Sequence, residues 1–398
     1  MAITAEFRPN PATSTAAFGR MFYGLDNRIM FSQVLIDDLN TLGRCYQKND
    51  PTSPDISDLL ATDGGDIQLQ NAGAILKLEE FLNGIIAFCE KGVFYVYGPQ
   101  SGFNATEYTI QKVTEFSLYA VEGTQRIGDA LMYVAQNGVF VLQPNEFGQL
   151  KAVNITEQTI NTYYQEFVRS DIFAGYDIEQ KQVFFVSRST KKGLVYDTRV
   201  QGWFPYQYTG PEDLLLSALV RKRARLLFVN QNTATATRNF ATQSSRAFTD
   251  FGVSYESYLL SQPETLGDFT KRQTAINMKA LFEKTEETIT GYENGAYVFD
   301  YPSSCTFQAY WDFDKSNAYR KWTREVVLYK PHELYKPEQR GFIPDSFPYV
   351  FDTGESVIEK RINIRGTGKA VQFKFSSDAG KDLRLLGFGV EWAQGSRQ

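Results

Sequence analysis

Three cysteines and one histidine are all that 398 residues offer for thiol or soft-metal chemistry. Cys45, Cys89 and Cys305 are too few for a disulfide framework and odd in number, so they read as reduced thiols. His332 has no second His or Cys beside it, so no zinc-type site can be assembled there. It reads either as a general base or as a solvated loop residue. No run reaches 18 apolar residues, which excludes a membrane-crossing helix. The opening MAITAEFRPNPATSTAAFGR lacks the basic start and apolar core of a signal peptide. The Asn-x-Thr triplets at Asn104 and Asn154 then read as chance. No G-x-S-x-G occurs, so there is no nucleophile elbow. Gly366-Thr367-Gly368-Lys369 has the tail of a P-loop, but Asn363 stands where glycine is needed and Ala370 where Ser or Thr is needed. It reads as a β-turn. A dominant charge is missing too: 41 Lys and Arg face 46 Asp and Glu, a net of −5. Gripping nucleic acid calls for a basic face.

What the chain has is aromatics, 31 Phe and 23 Tyr, arranged in short β-type runs. Residues 174–208, AGYDIEQKQVFFVSRSTKKGLVYDTRVQGWFPYQY, read as an antiparallel meander. Val183-Phe184-Phe185-Val186 has the β-branched and aromatic composition of a strand. Polar turns flank it at 177–181 and 188–193, and Gly193 allows a positive φ. Aligning on the Val-Phe pair gives Val93-Phe94, Val139-Phe140, Val183-Phe184 and Leu227-Phe228, in steps of 46, 44 and 44 residues. The first two are preceded by another apolar strand and a polar turn. A multi-strand repeat of this length is what β-propeller blades look like. A further hairpin, Met21-Phe22-Tyr23 to Ile29-Met30-Phe31, lies upstream.

The expected fold is mainly β, a β-propeller-like repeat domain followed by a second, mainly β platform domain. Residues 1–19 read as a flexible or partner-wrapped arm. The propeller-like domain spans 20–235, with a long polar loop inserted at 45–71. Residues 236–398 form the second domain, opened by a polar linker. Within it, Arg361, Asn363 and Arg365 should point outward and Ile362 and Ile364 inward. The strand 385–392 looks more buried. In the first half, 156–167 has the one helical pattern.

No catalytic, cofactor or metal constellation emerges, so the sequence reads as non-enzymatic, with no cofactor. Asp312 and Asp314 share one face of a strand near Trp311. They read either as a glycosidase-type carboxylate pair or as exposed acids at a strand end. Asp63-Gly64-Gly65-Asp66 offers oxygen ligands to calcium without the rest of a loop pattern. Together with Pro51 and Pro54 it lies in the long polar loop at 45–71, of a length that is usually functional or disordered. Arg221, Lys222, Arg223 and Arg225 are the densest basic run. They face phosphate or an acidic partner, or form a solvated turn that discourages edge pairing. Lys191-Lys192 has the same two readings. Trp203, Phe204 and Tyr206 read as a stacking platform or as packing at a blade edge.

Several stretches resemble the tail nozzle proteins (tail tubular protein B family) of short-tailed bacteriophages. The "YD" turn at Tyr176-Asp177 and the later Tyr196-Asp197-Thr198-Arg199 with Gly202-Trp203 carry the likeness best. So do Gly19-Arg20-Met21-Phe22-Tyr23-Gly24 with Ile29-Met30-Phe31-Ser32-Gln33. Near the end, 365–373 and 380–387 match in order. The resemblance implies a structural virion protein of the tail, assembled in the host cytoplasm. Its copies would form a ring, usually a hexamer, below the portal and its adaptor, with tail fibres or spikes as further partners. The ring would close the DNA channel and open for ejection, passing double-stranded DNA without sequence-specific binding, and the length and polarity of the 45–71 loop make it, with Pro51, Pro54, Asp63, Gly64, Gly65 and Asp66, the candidate channel gate. Two other classes fit the residues alone: a propeller glycosidase or lyase acting on surface polysaccharide, and a WD40-like interaction module.

Overall fold

The computed structural model describes residues 11–35, 42–47, 59–99, 102–146, 148–207, 214–222, 225–232, 238–242, 249–250, 253–265, 267, 270–283, 288–293, 296–300, 303–314, 321–326, 328 and 357–394. The chain divides into two compact units, Met1–Thr242 and Gln243–Gln398. Each is taken by itself.

The first unit is a run of antiparallel meanders. β1 (Thr13–Ala17), β2 (Arg20–Leu25), β3 (Arg28–Phe31) and β4 (Gly65–Gln68) form the first sheet. β5 (Ile75–Phe81), β6 (Gly84–Cys89), β7 (Gly92–Tyr97) and β8 (Thr109–Thr114) form the second. The third holds β9 (Thr124–Ile127), β10 (Ala130–Ala135), β11 (Gly138–Pro144) and β12 (Leu150–Asn154). Helix α1 (Asn161–Phe167) precedes the fourth: β13 (Ile172–Asp177), β14 (Gln182–Ser187), β15 (Lys192–Asp197) and β16 (Gly202–Gln207). β17 (Leu214–Lys222), β18 (Arg225–Asn232) and β19 (Arg238–Thr242) make a three-stranded fifth. This is a propeller-like array of blades, each strand pairing with its sequence neighbour.

The apolar runs explain the stacking. A strand covered on both faces reads as a continuous apolar run instead of an alternating one. In β6, Ile85, Ala87 and Cys89 enter the core shared with the first sheet. Ile86 and Phe88, on the opposite face, enter the core shared with the third. β10 repeats the arrangement: Leu131, Tyr133 and Ala135 face the second sheet. Met132 and Val134 face the fourth, where Val183, Phe185 and the α1 side chains Tyr164 and Phe167 complete the cluster. Because the side-chain period is two, a one-residue slip of β6 or β10 would exchange one core for the other. Phe88 of the second sheet packs on Tyr133 of the third with ring centroids 5.2 Å apart, and Tyr133 stacks in turn on its cross-strand neighbour Phe140 at 5.5 Å. Buried hydroxyls find carbonyls: Tyr133 Oη donates to Phe116 O at 3.0 Å and Tyr164 Oη to Ala135 O. Tyr164→Phe should therefore cost about 1 kcal/mol, read as a lowered melting temperature.

Several expectations change. Residues 13–17, expected in a flexible arm, form β1, whose ladder with β2 runs from Thr13↔Gly24 to Ala17↔Arg20. The expected 45–71 loop does not extend to its end, because Gly65–Gln68 is β4, paired to β3. Its polar sequence hid a short outer strand in which Ile67 alone is buried. The helix is shorter than the pattern 156–167. The Val-Phe repeat also changes phase: Val93 and Val139 lie in third strands, Val183 and Leu227 in second strands. Third strands start at 92, 138, 192 and 238, so the spacing runs 46, 54 and 46. The longer step holds α1. The two apolar strands of a blade are alike enough in composition for one to align on the other.

The second unit adds β20 (Thr249–Asp250), β21 (Val253–Ser254), β22 (Tyr258–Leu260), β23 (Gln273–Glu283), β24 (Thr288–Glu293), β25 (Ala296–Asp300), β26 (Cys305–Trp311), β27 (Lys321–Val326), β28 (Val357–Asn363), β29 (Thr367–Gly368), β30 (Val371–Ser377) and β31 (Leu385–Gln394). One sheet has the order β22-β30-β26-β27; in the other, β23 lies between β28 and β31 with β29 at its start. Alternate residues of β23, β26 and β30, among them Ala280, Phe282, Phe307, Ala309, Phe373 and Phe375, share one core. Ile362 and Ile364 point into it and Arg361, Asn363 and Arg365 outward, as the period-two pattern requires. β31 is less buried than its sequence suggests. It has one paired neighbour, β23, among the described residues, and Leu386 is half exposed.

Candidate functional site

In the meander that carries the resemblance, the buried carboxylates Asp177 and Asp197 close turns. Asp197 ends β15 and is buried. Its carboxylate accepts from Arg199 Nη2 at 2.6 Å, Arg199 Nε at 3.1 Å, Arg199 N at 2.9 Å and Gln182 Nε2 at 3.2 Å. The Arg199 side-chain bonds, with help from Gln182, hold its carboxyl well below the usual carboxylate range. A depressed carboxyl contributes stability that is fully present above the ordinary Asp pKa of about 4. That stability is lost as the pH falls through the lower folded value. Asp197→Asn should therefore cost about 1–3 kcal/mol at neutral pH and progressively less below about pH 4, measured by denaturant titration at several pH values.

Asp177 closes the preceding turn in the same way, accepting from Gln180 N at 3.1 Å. Both turns close on a non-glycine left-handed residue, Lys181 at φ 55° and Gln201 at φ 51°. Trp203 is not a free stacking platform. Its ring lies 4.9 Å from that of Tyr196 and 6.0 Å from that of Phe185, and its Nε1 donates to Ile155 O at 3.2 Å. Phe204 beside it is exposed.

The gate residues fare differently from one another. Pro51 and Pro54 lie outside the described residues. Asp63 is buried, and its carboxylate accepts from Leu60 N at 2.9 Å. Gly64 sits where a Cβ would strike Arg44 O, Tyr46 N and Phe31 O. Gly65 and Asp66 belong to β4, and Asp66 pairs with Arg28 at 3.0 Å on the surface. These four close the first sheet instead of forming the tip of a projecting loop. No group of three His, Cys, Asp or Glu suited to a metal occurs among the described residues. In the basic run, Lys222 pairs with Arg225 and Arg221 with Leu226, the last rungs of the β17–β18 hairpin. Arg223 and His332 lie outside the described residues.

One cluster gave no signal in the sequence, and of a second only the separate pieces were visible. Lys77 of β5 donates to Thr124 Oγ1 of β9 at 2.6 Å and lies 2.9 Å from Glu79 Oε1. The Thr124 hydroxyl donates to the same carboxylate. The partners are 47 residues apart, so no local motif announces the set. Its charges cancel, and it joins two blades with its donors and acceptors mutually engaged. The second is the turn after β26. Asp312 Oδ1 accepts from Lys369 N at 2.6 Å and Ala370 N at 3.3 Å, so this carboxylate fastens one turn to another.

Burial pushes the Cys45 thiol up to about 11 and those of Cys89 and Cys305 up to about 12. Because the thiolate is the reactive form, a thiol reagent at neutral pH should modify none of the three until the protein is unfolded, as intact mass will show.

No protein-family model matches the chain, and no curated protein sequence matches it. Solved structures share the architecture loosely. The heterotrimeric Nup82 NTD–Nup159 TAIL–Nup145N APD complex of Chaetomium thermophilum matches at 11% identity and TM-score 0.36, covering 59% of this chain and 68% of that one. The Cps50 (Swd1) β-propeller domain of Myceliophthora thermophila matches at 7% and 0.29, covering 58% and 83%. A Kluyveromyces marxianus Hsv2 structure matches at 10% and 0.32, with 53% of this chain spanning only 56% of that one. At these values no chemistry or partner transfers; the propeller-like fold rests on the stacked meanders themselves.

Proposed function

We propose that this chain is a non-enzymatic structural subunit that works as a ring of copies, of the tail nozzle kind it resembles. The ring closes a channel for double-stranded DNA and opens for its passage. The observation that carries the reading is the fourth meander. Tyr196, Asp197, Arg199 and Trp203, the residues of the resemblance, are bound to one another and to the neighbouring blade. Residues of the resemblance that close turns and pack rings, and do no chemistry, suit a mechanical component. The net charge of −5 supports it, since phosphate is held by Lys and Arg. Rigid stacked sheets suit a component that transmits load. No helix among the described residues is long and apolar enough to cross a membrane.

A second reading, a propeller used as a protein-interaction module, draws on the exposed Phe116, Tyr119 and Val121 between β8 and β9. The glycosidase or lyase reading is weakened by Asp312, whose carboxylate is committed to backbone amides. Negative-stain imaging of the purified chain separates the readings. Closed rings are expected; dispersed single copies at every concentration would refute the ring.

A further inference from the structure

β31 ends its sheet, and its core side is left partly open. Ala280 of β23 is fully buried, while Phe388, its partner on β31, is 36% exposed. Cross-strand partners share a face, so both turn toward the core. Phe388 packs on Phe373 and Phe375 of β30, with ring centroids 5.8 and 5.3 Å apart. β31 therefore lies over β30. Beyond β30 its sheet goes on to β22; beyond β31 the facing sheet has no further strand among the described residues. Leu259 of β22 pairs with Phe375 and turns to the same side, yet it is 48% exposed. A slot one strand wide remains at this corner of the sandwich. Gly267, set against the Trp392 ring, closes one end. The open length, along Leu386 to Val390, is about 16 Å at ~3.3 Å per residue. Its walls are apolar, and the edge of β31 offers unpaired backbone groups to another strand.

A strand that fills such a slot alternates apolar and polar residues and takes its affinity from main-chain pairing. The chain carries one outside the described residues. In MAITAEFR, residues 1–8, Met1, Ile3, Ala5 and Phe7 fall on one face of a strand and Thr4, Glu6 and Arg8 on the other. The segment has no proline. The longer stretches outside the described residues do: Pro51 and Pro54 in 48–58, and Pro331, Pro337, Pro344 and Pro348 in 329–356. Proline cannot donate to a ladder. Pro9 and Pro11 bias the residues before them to extended backbone, which suits a segment reaching away from β1.

We infer that residues 1–8 of one copy seat in this slot of the next, as a strand paired to the edge of β31, with Ile3, Ala5 and Phe7 turned in against Phe388 and Leu259. This deepens the ring reading and rests on it. Arm and slot are different surfaces, so the contact is heterologous, and its repetition closes a ring or extends a filament.

Two full-length variants test it. Ile3→Asp with Phe7→Asp spoils the apolar face of the arm. Leu259→Glu sets a charge in the slot at a position already half exposed. In sedimentation velocity over a wide range of concentrations the unaltered chain should assemble, and each variant alone should lose every species above the 45.2 kDa monomer. A fluorescently labelled peptide of residues 1–8 should bind the arm variant. It should bind the Leu259→Glu variant roughly ten-fold more weakly or worse, because the glutamate would be buried without a partner. A peptide with Glu6 and Phe7 exchanged has the same composition but puts Ile3 and the phenylalanine on opposite faces; it should not bind. Should Leu259→Glu fail to fold, the arm variant and the two peptides decide alone. Variants that assemble like the unaltered chain, a peptide that ignores the arm variant, or an exchanged peptide that binds equally well overturn the contact and leave the ring standing. A monomeric unaltered chain overturns both.

Discussion

Arg20→Ala should lower stability by about 3–5 kcal/mol from lost hydrogen bonds and a cavity, a large share of what holds most domains folded. Arg20 is buried on β2, and its guanidinium donates to the carbonyls of Ser32, Asp63 and Ala61. It also lies over the rings of Phe31 and Phe103, at 5.6 and 5.7 Å. Burial pushes it down to about 10, so it keeps its charge at neutral pH. One side chain thus closes the end of β3 and the approach to β4. Alanine leaves three inward carbonyls without their donor, at about 1 kcal/mol or more each, and adds a cavity. Arg20→Met should cost less, because it fills the volume and removes the desolvated charge. Arg20→Lys should fall between them, since an ammonium cannot reproduce the planar fork. Denaturant titrations of the three variants will rank them; equal stabilities would mean the clamp carries no load.

Gly366→Ala should cost about 2–5 kcal/mol, combining a forced positive φ with a steric clash. Gly366 sits at φ 121°, and a Cβ there would run into Nε1, Cδ1 and Cε2 of Trp311. Trp311 is among the largest fully buried side chains and lies in the core of the second unit. It cannot yield, because its Nε1 is held by Arg365 O. The same substitution should loosen the Asp312–Phe313 turn that Trp311 roots. Thermal unfolding checks the stability loss, and an unchanged melting temperature would show that the indole has room to move. The Gly366-Thr367-Gly368-Lys369 run is thus a turn built against a tryptophan.

The β class and the meanders were legible because strands covered on both faces cannot avoid continuous apolar runs. Ile85–Phe88, Leu131–Val134 and Val183–Val186 are each fully buried. Thr13–Ala17 and Gly65–Gln68 were not legible. First and outer strands bury one face or less, so TSTAA and GDIQ carry little apolar signal. The blade phase slipped for the opposite reason: two equally apolar strands per blade gave the alignment no way to choose. Of the interactions that matter, those within a turn could be read, as with Asp197 and Arg199. Those between distant segments could not. Lys77 meets Thr124 only once two sheets are stacked, and Asp312 meets Lys369 only once β26 and β30 are paired. Arg20 looked like one residue of a family entry motif, and nothing in the sequence pointed to the carbonyls of Ala61 and Asp63 as its partners.

The claim that this chain acts through copies of itself meets its most direct test in native mass spectrometry of the purified full-length protein. A single closed species at a fixed multiple of 45.2 kDa, unchanged on dilution until it falls to monomers, is the predicted result. A mass of one subunit at every concentration would contradict the account.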